Sequence, residues 1–547
     1  MKHILKLSGL VILALAICIP LEAQVQRAPV SAPFSKGMVL AEWFETPGVE
    51  AIEINLFNEE DFKVAKSMGM DVLRLPIDFI SMSSGNKNYT IPPLLFQYID
   101  QAVDWAEKHQ LYIIIDNHRL NMPATPNNID SILIPLWTQI ANHFKDRGDY
   151  VIYEILNEPH TIAANRWGKI QGDVISAIRK IDQRHKIIVG GVNYNSLEDL
   201  DSLPKYSDNN LIYTFHFYEP YLFTYQTDYD LKGVPWPYDR GRMPSMPNKI
   251  SQYGKDLYKN YEKNSSMEYL ASKLDKVAAF SIKRNVPVYT GEFGAVWYSN
   301  PEDRNRWHRF IVQELNKRNI SWTAHQYAGG GFGIMFNALF GPRNLNADLN
   351  VELLSILRFT PPQQTQTPVS VRTGFTIFDD SFNKDFYINF SYHANEVNKA
   401  EYRNNTAAEG QYSIRWGNVN LYEAFTINFR RTTDLSQLVT AGNFLEFKAR
   451  ADKDAVFDVR FMNLESPNSP PWRMKYTVSV PADGQWHTIR VRLRDMEDQG
   501  GWSNLANQWV NSRKEFSWKN VTSLQFVPEN NPITGNVWID SIKIVAQ

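Results

Sequence analysis

The chain has 547 residues, of which 43% are hydrophobic and 21% charged, a balance that is typical of folded proteins and excludes a disordered chain. This length exceeds one ordinary domain, so we expect two domains with large cores. The formal net charge of −2 excludes the strongly basic surface that a nucleic-acid or anionic-membrane partner requires.

Residues 1–23 have the form of a secretory signal peptide. A basic start is followed by the apolar run Leu10–Leu21, and cleavage is expected near Ala23. The run is too short for a membrane span, so we predict a secreted, periplasmic or cell-surface protein. The one cysteine, Cys18, lies in this segment, which excludes disulfides and thiolate sites in the mature chain. Lipoprotein anchoring through Cys18 ranks second, because Ile17 stands where a small residue is expected.

Residues 24–359 alternate short apolar runs with amphipathic stretches. Eight runs predict β-strands: Met38–Ala41, Val72–Leu75, Tyr112–Asp116, Val151–Leu156, Ile187–Gly190, Leu211–His216, Val288–Gly291 and Ser321–Gln326. Helical stretches between them include Glu59–Met68, Leu94–His109, Asn165–Arg184, Met267–Arg284 and Pro301–Arg318, while the fifth helix is weakly marked. This α/β pattern predicts a (β/α)8 TIM barrel. An insertion, Glu219–Ser266, follows the sixth strand and is expected to wall the barrel mouth.

Residues 360–373 are rich in Pro, Gln and Thr and are predicted to be a linker. Residues 374–547 contain short β-rich segments separated by turn residues, which predicts an all-β sandwich. The clearest segments are Phe444–Ala449, Phe457–Met462, Lys475–Val480, His487–Leu493 and Val537–Val545.

Polar or aromatic side chains stand where the barrel strands end. They are Arg74, Asn117 and His118, Asn157 and Glu158, His216 and Tyr218, Glu292, and Trp322. The carboxyl ends of barrel strands share one mouth, so Glu158 and Glu292 are expected to face each other. Paired carboxyl groups across a cleft are the equipment of glycoside hydrolysis.

The sequences Asn-Glu-Pro after strand four and Gly-Glu-Phe-Gly at strand seven, with Arg, His, His-x-Tyr and Trp between them, resemble glycoside hydrolase family 5. The resemblance covers about Lys36 to Phe359. It implies that Glu158 is the acid/base and Glu292 the nucleophile of a retaining reaction, with carboxyl groups about 5–5.5 Å apart.

The same resemblance implies roles for the residues around this pair. Asn157 would bind the sugar 2-hydroxyl in the −1 subsite, Arg74 and Tyr218 would hold Glu292, and His118 and His216 would line the subsite. Glu154 is expected to be a hydrogen-bonded structural acid beneath the site. No metal enters this chemistry, so we expect no catalytic cofactor.

One aromatic platform remains open between two positions. Family members place a −1 subsite tryptophan on strand eight, where this chain has Trp322 and, three residues later, His325. We favour Trp322, which leaves His325 as the alternative. Four further aromatic residues could either stack on sugars or pack in the core: Trp43, Tyr221, Tyr225 and Trp236.

The sandwich resembles jelly-roll carbohydrate-binding modules such as those of families 4 and 11. The Gly484–Trp486 turn and the closing strand Val537–Ile544 carry this likeness. Such modules often hold a structural Ca²⁺, for which Asp379, Asp380 and Asp540 are candidate ligands, with solvated aspartates as the alternative. Trp472, Trp502 and Trp509 are possible exposed platforms, without an assigned sugar site.

The sequence therefore predicts a secreted, monomeric endo-β-glycanase acting on a β-linked polysaccharide, foremost an endo-β-1,4-glucanase. A β-mannanase or a mixed-linkage or xyloglucan-active glucanase is the alternative within the class. A catalytically silent glycan-binding protein is the alternative outside it, and the intact pair of glutamates disfavours that reading.

Overall fold

The computed structural model describes residues 28–52, 55–85, 88–119, 124–328, 331–334, 349–362, 369–389, 400–463, 470–503 and 508–546. The predicted signal peptide with Cys18, and residues 363–368 of the predicted linker, lie outside these ranges.

The N-terminal part of the chain forms a closed barrel of eight parallel strands that are hydrogen-bonded in chain order. The barrel closes where Gly37 and Met38 of the first strand pair with Thr323 and Ala324 of the last. The predicted (β/α)8 barrel is confirmed. Its strands are β1 Lys36–Val39, β2 Val72–Ile77, β3 Tyr112–Asn117, β4 Val151–Glu154, β5 Lys186–Gly190, β6 Leu211–Phe217, β7 Val288–Phe293 and β8 Ser321–Ala324.

Helices surround the barrel. One of them, between β3 and β4, was not among the helical stretches named from the sequence. The helices are α1 Glu59–Ser67, α2 Phe79–Met82, α3 Pro93–Lys108, α4 Asp130–Phe144, α5 Ala164–Arg179, α6 Val192–Asn195, α7 Tyr221–Thr224, α8 Gln252–Lys259, α9 Tyr261–Asn264, α10 Met267–Arg284, α11 Pro301–Lys317 and α12 Val351–Ile356. The weakly marked fifth position holds only the short turn α6 and a 3-10 segment, 197–202. No helix among the described residues combines the length and apolar character needed to cross a membrane.

Amphipathic sequences and capping residues explain why the barrel helices form, as α1 shows. In α1 the Asn58 side chain accepts from the N–H groups of Glu60 and Asp61, while Asp61 accepts from the N–H of Asn58, which is a complete capping box. Its buried face, with Phe62, Val64 and Ala65, packs on the strands. This packing holds the strand ends, and with them the site, in a fixed arrangement.

The C-terminal part is a sandwich of two largely antiparallel sheets, as predicted. One sheet has the order β11-β10-β24-β14-β13, with β16 attached to β24 and β19 attached to β16. The other has the order β12-β15-β23-β17-β18-β20, with β9 attached to β15. Two further short strands, β21 and β22, pair with each other. The elements are β9 Val369–Ser370, β10 Phe375–Asp379, β11 Ser381–Phe382, β12 Phe386–Asn389, β13 Ala400–Asn404, β14 Ser413–Val419, β15 Phe425–Asp434, α13 Ser436–Thr440, β16 Phe444–Ala451, β17 Ala455–Asn463, β18 Arg473–Val480, β19 His487–Arg492, β20 Glu497–Gln499, β21 Gly501–Ser503, β22 Gln508–Val510, β23 Val521–Val527 and β24 Ile533–Val545.

The predicted linker is shorter in the structure than in the sequence analysis. Val369 and Ser370, inside the predicted range 360–373, pair in parallel with Thr433 and Asp434 of β15. They are therefore part of the sandwich. A linker-like composition does not prevent two residues from pairing with the edge of a sheet.

The sandwich packs against the barrel through the segment after β1 and the first turn of α1. The Asn55 side chain donates to the carbonyl of Phe382 at 3.0 Å, and the Arg430 guanidinium donates to the carbonyl of Asn55. Arg430 also lies 3.7 Å from the carboxylate of Asp61. Tyr387 of β12 is 1% exposed and belongs to the same buried apolar cluster as the barrel core. The two domains therefore share a packed contact.

Candidate active site

Glu158 and Glu292 lie together at the mouth of the barrel. Glu158 follows β4 with a left-handed φ of 48°, and Glu292 lies near the end of β7. One carboxylate oxygen of Glu158, one carboxylate oxygen of Glu292 and one imidazole nitrogen of His216 lie within 4.8 Å of one another. Two strands that are far apart in sequence thus bring two carboxyl groups to within the reach of one sugar ring.

The two carboxyl groups have different surroundings. The Glu292 side chain is 7% exposed, against 29% for Glu158. The Arg74 guanidinium donates to Glu292 Oε1 at 2.7 Å, and the Tyr218 hydroxyl donates to Oε2 at 2.9 Å. Burial disfavours the charge on Glu292, but the positive charges of His216 and Arg74 outweigh burial and hold its pKa well below the usual value.

Arg74 is fully buried and organises the floor of the site. Its Nε and Nη2 donate to both oxygens of Glu154, at 2.8 and 3.0 Å, and Nη2 also donates to Asn157 Oδ1 at 2.8 Å. Nη2 lies 2.9 Å from Asp116 as well. Glu154 occupies the place beneath the site that the sequence analysis expected.

His216 connects the two glutamates. Its Nδ1 lies 2.7 Å from Glu158 Oε1 and 3.7 Å from Glu292 Oε2. Burial lowers the pKa of His216, but the neighbouring carboxylates of Glu292 and Glu158 outweigh it, and the pKa is raised. Asn195, from the turn after β5, places its Nδ2 3.4 Å from His216 Nε2.

His118 lies between two acids. Its Nδ1 is 2.8 Å from Asp116 Oδ2, and its Nε2 is 3.5 Å from Glu45 Oε1 and 3.1 Å from Asn157 Nδ2. Burial acts against its charge, but Glu45 and Asp116 outweigh burial and raise the pKa of His118 to about 10.

Sequence reasoning missed Glu45 and Asn195. Glu45 follows β1, a strand end where no polar residue was assigned, and burial raises the pKa of Glu45. The acid directly after Trp43 and Phe44 was a signal that could have been used. Asn195 carried no such signal, because the strand before it ends in glycines.

Trp322 was predicted to be the sugar platform, and the structure shows that this is wrong. Its indole is fully buried, packs 5.5 Å from Phe293 and 5.7 Å from Phe359, and donates to Asn316 of α11. Side chains alternate along a strand, and this register turns Trp322 toward the helices. His325 faces the site instead.

His325 Nδ1 lies 3.8 Å from Glu292 Oε2. Its ring centroid is 6.4 Å from that of Tyr218 and 5.5 Å from that of Phe332. Burial lowers the pKa of His325 to about 4, so this imidazole is neutral at neutral pH. The alternative that the sequence analysis left open is thus the residue beside the carboxyl pair.

Two further aromatic candidates are core residues. Trp43 and Trp236 are 1% and 0% exposed, so neither offers a face to a ligand. Tyr221 and Tyr225 are partly buried, and the Tyr225 ring lies 5.0 Å from that of Tyr218 at the cleft.

The predicted calcium ligands are brought together in part. Asp540 is buried and accepts N–H groups from Ala408, Glu409 and Ser541, while Asp380 accepts two from the same loop, residues 408–412. Burial, with a smaller contribution from the charge of Asp380, raises the pKa of Asp540. Asp379 is exposed. A calcium ion here stays a prediction.

In the sandwich, Trp472 is buried, so its prediction as an exposed platform is wrong. Trp502 and Trp509 are 47% and 46% exposed and lie opposite each other in the β21–β22 pair.

A barrel with two facing carboxyl groups, one buried on an arginine and one more open beside a histidine, has the construction of a glycoside hydrolase. The sequence profile of the cellulase family, glycosyl hydrolase family 5, matches residues 39–330, and the chain belongs to this family. Its barrel is therefore a glycoside hydrolase domain of this family.

Curated relatives agree with this family over the barrel. Endoglucanase 3 of Fibrobacter succinogenes is 29% identical over an alignment of 336 residues that covers 55% of this chain and 50% of that protein. Endoglucanase C of Acetivibrio thermocellus is 26% identical over 325 residues, covering 55% of this chain and 93% of that protein. The chain thus spans about half the length of the first of these relatives.

Solved structures with similar barrels include endoglucanase Cel5A from Thermotoga maritima. It has 26% sequence identity and a TM-score of 0.49, covering 59% of this chain and 96% of that one. Residues 374–546 match the profile of carbohydrate binding domain 30, whereas the sequence analysis had named families 4 and 11 as examples of the type.

Proposed function

We propose that the protein is a retaining endo-β-glycanase that hydrolyses internal β-1,4-glucosidic bonds. The observation that carries the proposal is the approach of Glu158 and Glu292 to within 4.8 Å, because retaining enzymes need carboxyl groups close enough for direct attack. An inverting enzyme needs a wider gap, which holds a water molecule.

In the first step Glu292 attacks the anomeric carbon while Glu158 gives its proton to the glycosidic oxygen. The bond from the anomeric carbon to that oxygen breaks, the leaving sugar departs as an alcohol, and a glycosyl ester forms on Glu292. Arg74 and Tyr218 keep Glu292 ionised and fixed in orientation, since both donate to it.

In the second step the carboxylate of Glu158 removes a proton from water, and the resulting hydroxide equivalent attacks the anomeric carbon. The ester bond to Glu292 breaks, the sugar leaves with its original configuration, and both glutamates return to their starting states. In this proposal Asn157, which accepts from Arg74, binds the sugar 2-hydroxyl, and His118 lines the same subsite.

The test is the release of reducing ends from carboxymethylcellulose, mannan and mixed-linkage β-glucan. We expect carboxymethylcellulose or mixed-linkage glucan to be the better substrate, and the Glu292→Gln variant to lose nearly all activity on each. Preference for mannan would overturn the assignment of glucose as the sugar, since mannan has the same β-1,4 linkage. No turnover of any polymer by the wild-type protein would overturn the enzymatic proposal for this chain.

We propose that the sandwich holds the enzyme on insoluble polymer, which raises its local concentration. The exposed indoles of Trp502 and Trp509 support this, because flat apolar rings suit the C–H faces of sugars. In a pull-down with insoluble cellulose, the Trp502→Ala/Trp509→Ala double variant should bind more weakly than the wild type. A matched change at exposed Tyr476, which is 41% exposed, serves as the control.

We also propose secretion, a monomeric state and catalysis without a metal. The proposal of secretion rests on the signal-like segment 1–23. A chelator should leave turnover of soluble substrate unchanged. If Asp380 and Asp540 hold calcium, the same treatment should lower the unfolding temperature of the sandwich.

A further inference from the structure

We propose that the active site also binds one divalent transition-metal ion of the zinc class, and that this ion inhibits the enzyme. The ligands are carboxylate oxygens of Glu158 and Glu292 and ring nitrogens of His216 and His325. The metal site rests on the geometry of these side chains, whereas its inhibitory effect rests on the proposed glycanase function. An inhibitory site is consistent with catalysis that uses no metal.

Three of the four ligand atoms already surround one point. His216 Nδ1 is 2.7 Å from Glu158 Oε1 and 3.7 Å from Glu292 Oε2, and one oxygen of each glutamate lies within 4.8 Å of the other. In a tetrahedral zinc site, bonds of about 2.0–2.2 Å place neighbouring ligand atoms about 3.4 Å apart. Side-chain shifts of about 1 Å therefore bring these three atoms to the spacing that zinc requires.

His325 supplies a fourth ligand atom beside Glu292. Its Nδ1 lies 3.8 Å from Glu292 Oε2, is buried, and has no hydrogen-bond partner among the residues that the structure describes. A buried polar atom without a partner costs free energy, and a bound ion is one way to satisfy it. The tryptophan that family members place here cannot do so, because the indole nitrogen is only a donor. The imidazole in this chain thus completes a ligand set.

Asn195 gives His216 the support that a metal-binding histidine needs. Such a histidine binds the metal through one ring nitrogen and donates the N–H of the other to an oxygen, which fixes the ring. Asn195 is fully buried, and its Nδ2 lies 3.4 Å from His216 Nε2. Within the described part of the chain, Asn195 Oδ1 has no hydrogen-bond partner. A half-turn of this amide brings Oδ1 to the Nε2–H of His216.

The charges of the site favour a cation with these ligands. The carboxyl groups of Asp116 and Glu154 lie beside the two glutamates, and Arg74 is shared among Asp116, Glu154 and Glu292. A divalent ion would balance the charges of Glu158 and Glu292 more fully than one imidazole can. Two imidazoles with two carboxylates suit Zn²⁺ or Cu²⁺, whereas Mg²⁺ and Ca²⁺ prefer oxygen ligands alone.

An ion in this position would stop turnover. Glu292 could not attack the anomeric carbon while its oxygen binds the ion, and Glu158 could not transfer a proton to the glycosidic oxygen. The ion would also occupy the space between the two carboxyl groups, where the scissile bond has to lie. Inhibition should therefore be competitive with substrate.

The first experiment measures inhibition of the full-length protein on cellopentaose, an uncharged substrate. We expect micromolar Zn²⁺ to inhibit competitively, with full recovery after a chelator is added, and millimolar Mg²⁺ or Ca²⁺ to have no effect. His325→Phe keeps an aromatic ring without a nitrogen, so its inhibition constant for Zn²⁺ should be about tenfold or more above that of the wild type. The control is His487→Gln, which changes an exposed histidine paired with Asp483 and should keep the wild-type constant.

The second experiment titrates Zn²⁺ into the same proteins by calorimetry without substrate. The tightest site of the wild type should remain in His487→Gln and be weakened about tenfold or more in His325→Phe and His216→Gln. Equal binding and inhibition in His325→Phe and the wild type would overturn the metal site, as would loss of that site in His487→Gln. A wild-type protein that binds Zn²⁺ as described but cleaves no polysaccharide would instead overturn the proposed function.

Discussion

At the scale of single residues, the two glutamates of the site carry identical carboxyl groups but have different hydrogen-bond partners. Glu292 is fixed between Arg74 and Tyr218, while Glu158 has His216 as its partner and a larger exposed fraction. In the proposed mechanism Glu292 must stay ionised, and donors surround it. Glu158 must give and take a proton in that mechanism, and it is the more exposed of the two.

The first prediction concerns pH. Because positive charge from His216 helps to hold the pKa of Glu292 down, Glu292 should stay ionised below its ordinary titration range, and kcat/KM should persist into acid. In His216→Gln that charge is lost, the pKa of Glu292 rises, and the acid limb of the kcat/KM profile should move to higher pH. An acid limb that stays in place would show that His216 does not set this charge balance; His143→Gln, a surface change, is the control.

The residues at this scale were partly predictable. Glu158 and Glu292 stand beside sequence patterns of their own, since a strand end, a proline and flanking glycines mark them. Glu45 and Asn195 join the site only through contacts that are distant in sequence, because each lies beside a histidine from another part of the chain. Such pairings depend on the closed barrel and have no local signature.

At the scale of elements, β8 shows how a strand register decides which aromatic residue meets a ligand. Trp322 and Thr323 are neighbours on opposite faces, and Thr323 turns inward, where its hydroxyl donates to the carbonyl of Gly291 at 2.6 Å. The sequence shows that a tryptophan lies on this strand, but not which face of the strand it occupies. A shift of the strand pairing by one residue would exchange the side chains that face the barrel interior with those that face the helices.

The second prediction tests this assignment. Trp322→Ala should destabilise the protein by about 3–5 kcal/mol, because it opens a cavity in a fully buried place. Turnover per folded molecule should stay close to normal well below the unfolding temperature. His325→Ala should do the opposite, with lower turnover and an almost unchanged unfolding temperature. Denaturant unfolding combined with active-site titration separates the two, and a reversed pattern would restore Trp322 as the platform.

The elements themselves were largely predictable from hydrophobic pattern. The eight predicted strands overlap the eight observed ones, because buried parallel strands are continuous apolar runs. Helix α4 escaped assignment since it contains Pro135 and is apolar over most of its circumference, which weakens the helical period. The turn α6 could not be foreseen, as its left-handed residues are stabilised by contacts from elsewhere.

At the scale of the whole molecule, the contact between barrel and sandwich argues against a freely tethered module. Tyr387 lies in the barrel's apolar cluster with the Arg430 guanidinium 5.1 Å from its ring centroid, and Arg403 donates to the Tyr98 hydroxyl at 2.8 Å. These contacts involve α1, α3 and the segment after β1, which also carries Glu45.

The third prediction follows from this interface. Tyr387→Ala should destabilise the protein by about 3 kcal/mol and lower the unfolding temperature of the barrel as well as that of the sandwich. Deleting residues 374–547 should keep turnover of soluble substrate but reduce stability for the same reason. Calorimetry of both variants, with Tyr476→Ala as the control, is the check. An unchanged barrel transition in both would show that the domains are energetically independent.

The most direct test of the two assigned glutamates is to trap the intermediate. Incubation with an activated 2-deoxy-2-fluoro-β-cellobioside should inactivate the enzyme. The fluorine slows both steps, but the good leaving group restores the rate of the first step only, so the glycosyl ester accumulates. Mass spectrometry of peptide fragments should then find one fluorocellobiosyl group on Glu292. A label on any other residue, or continued hydrolysis of β-glucan with no label, would contradict the account.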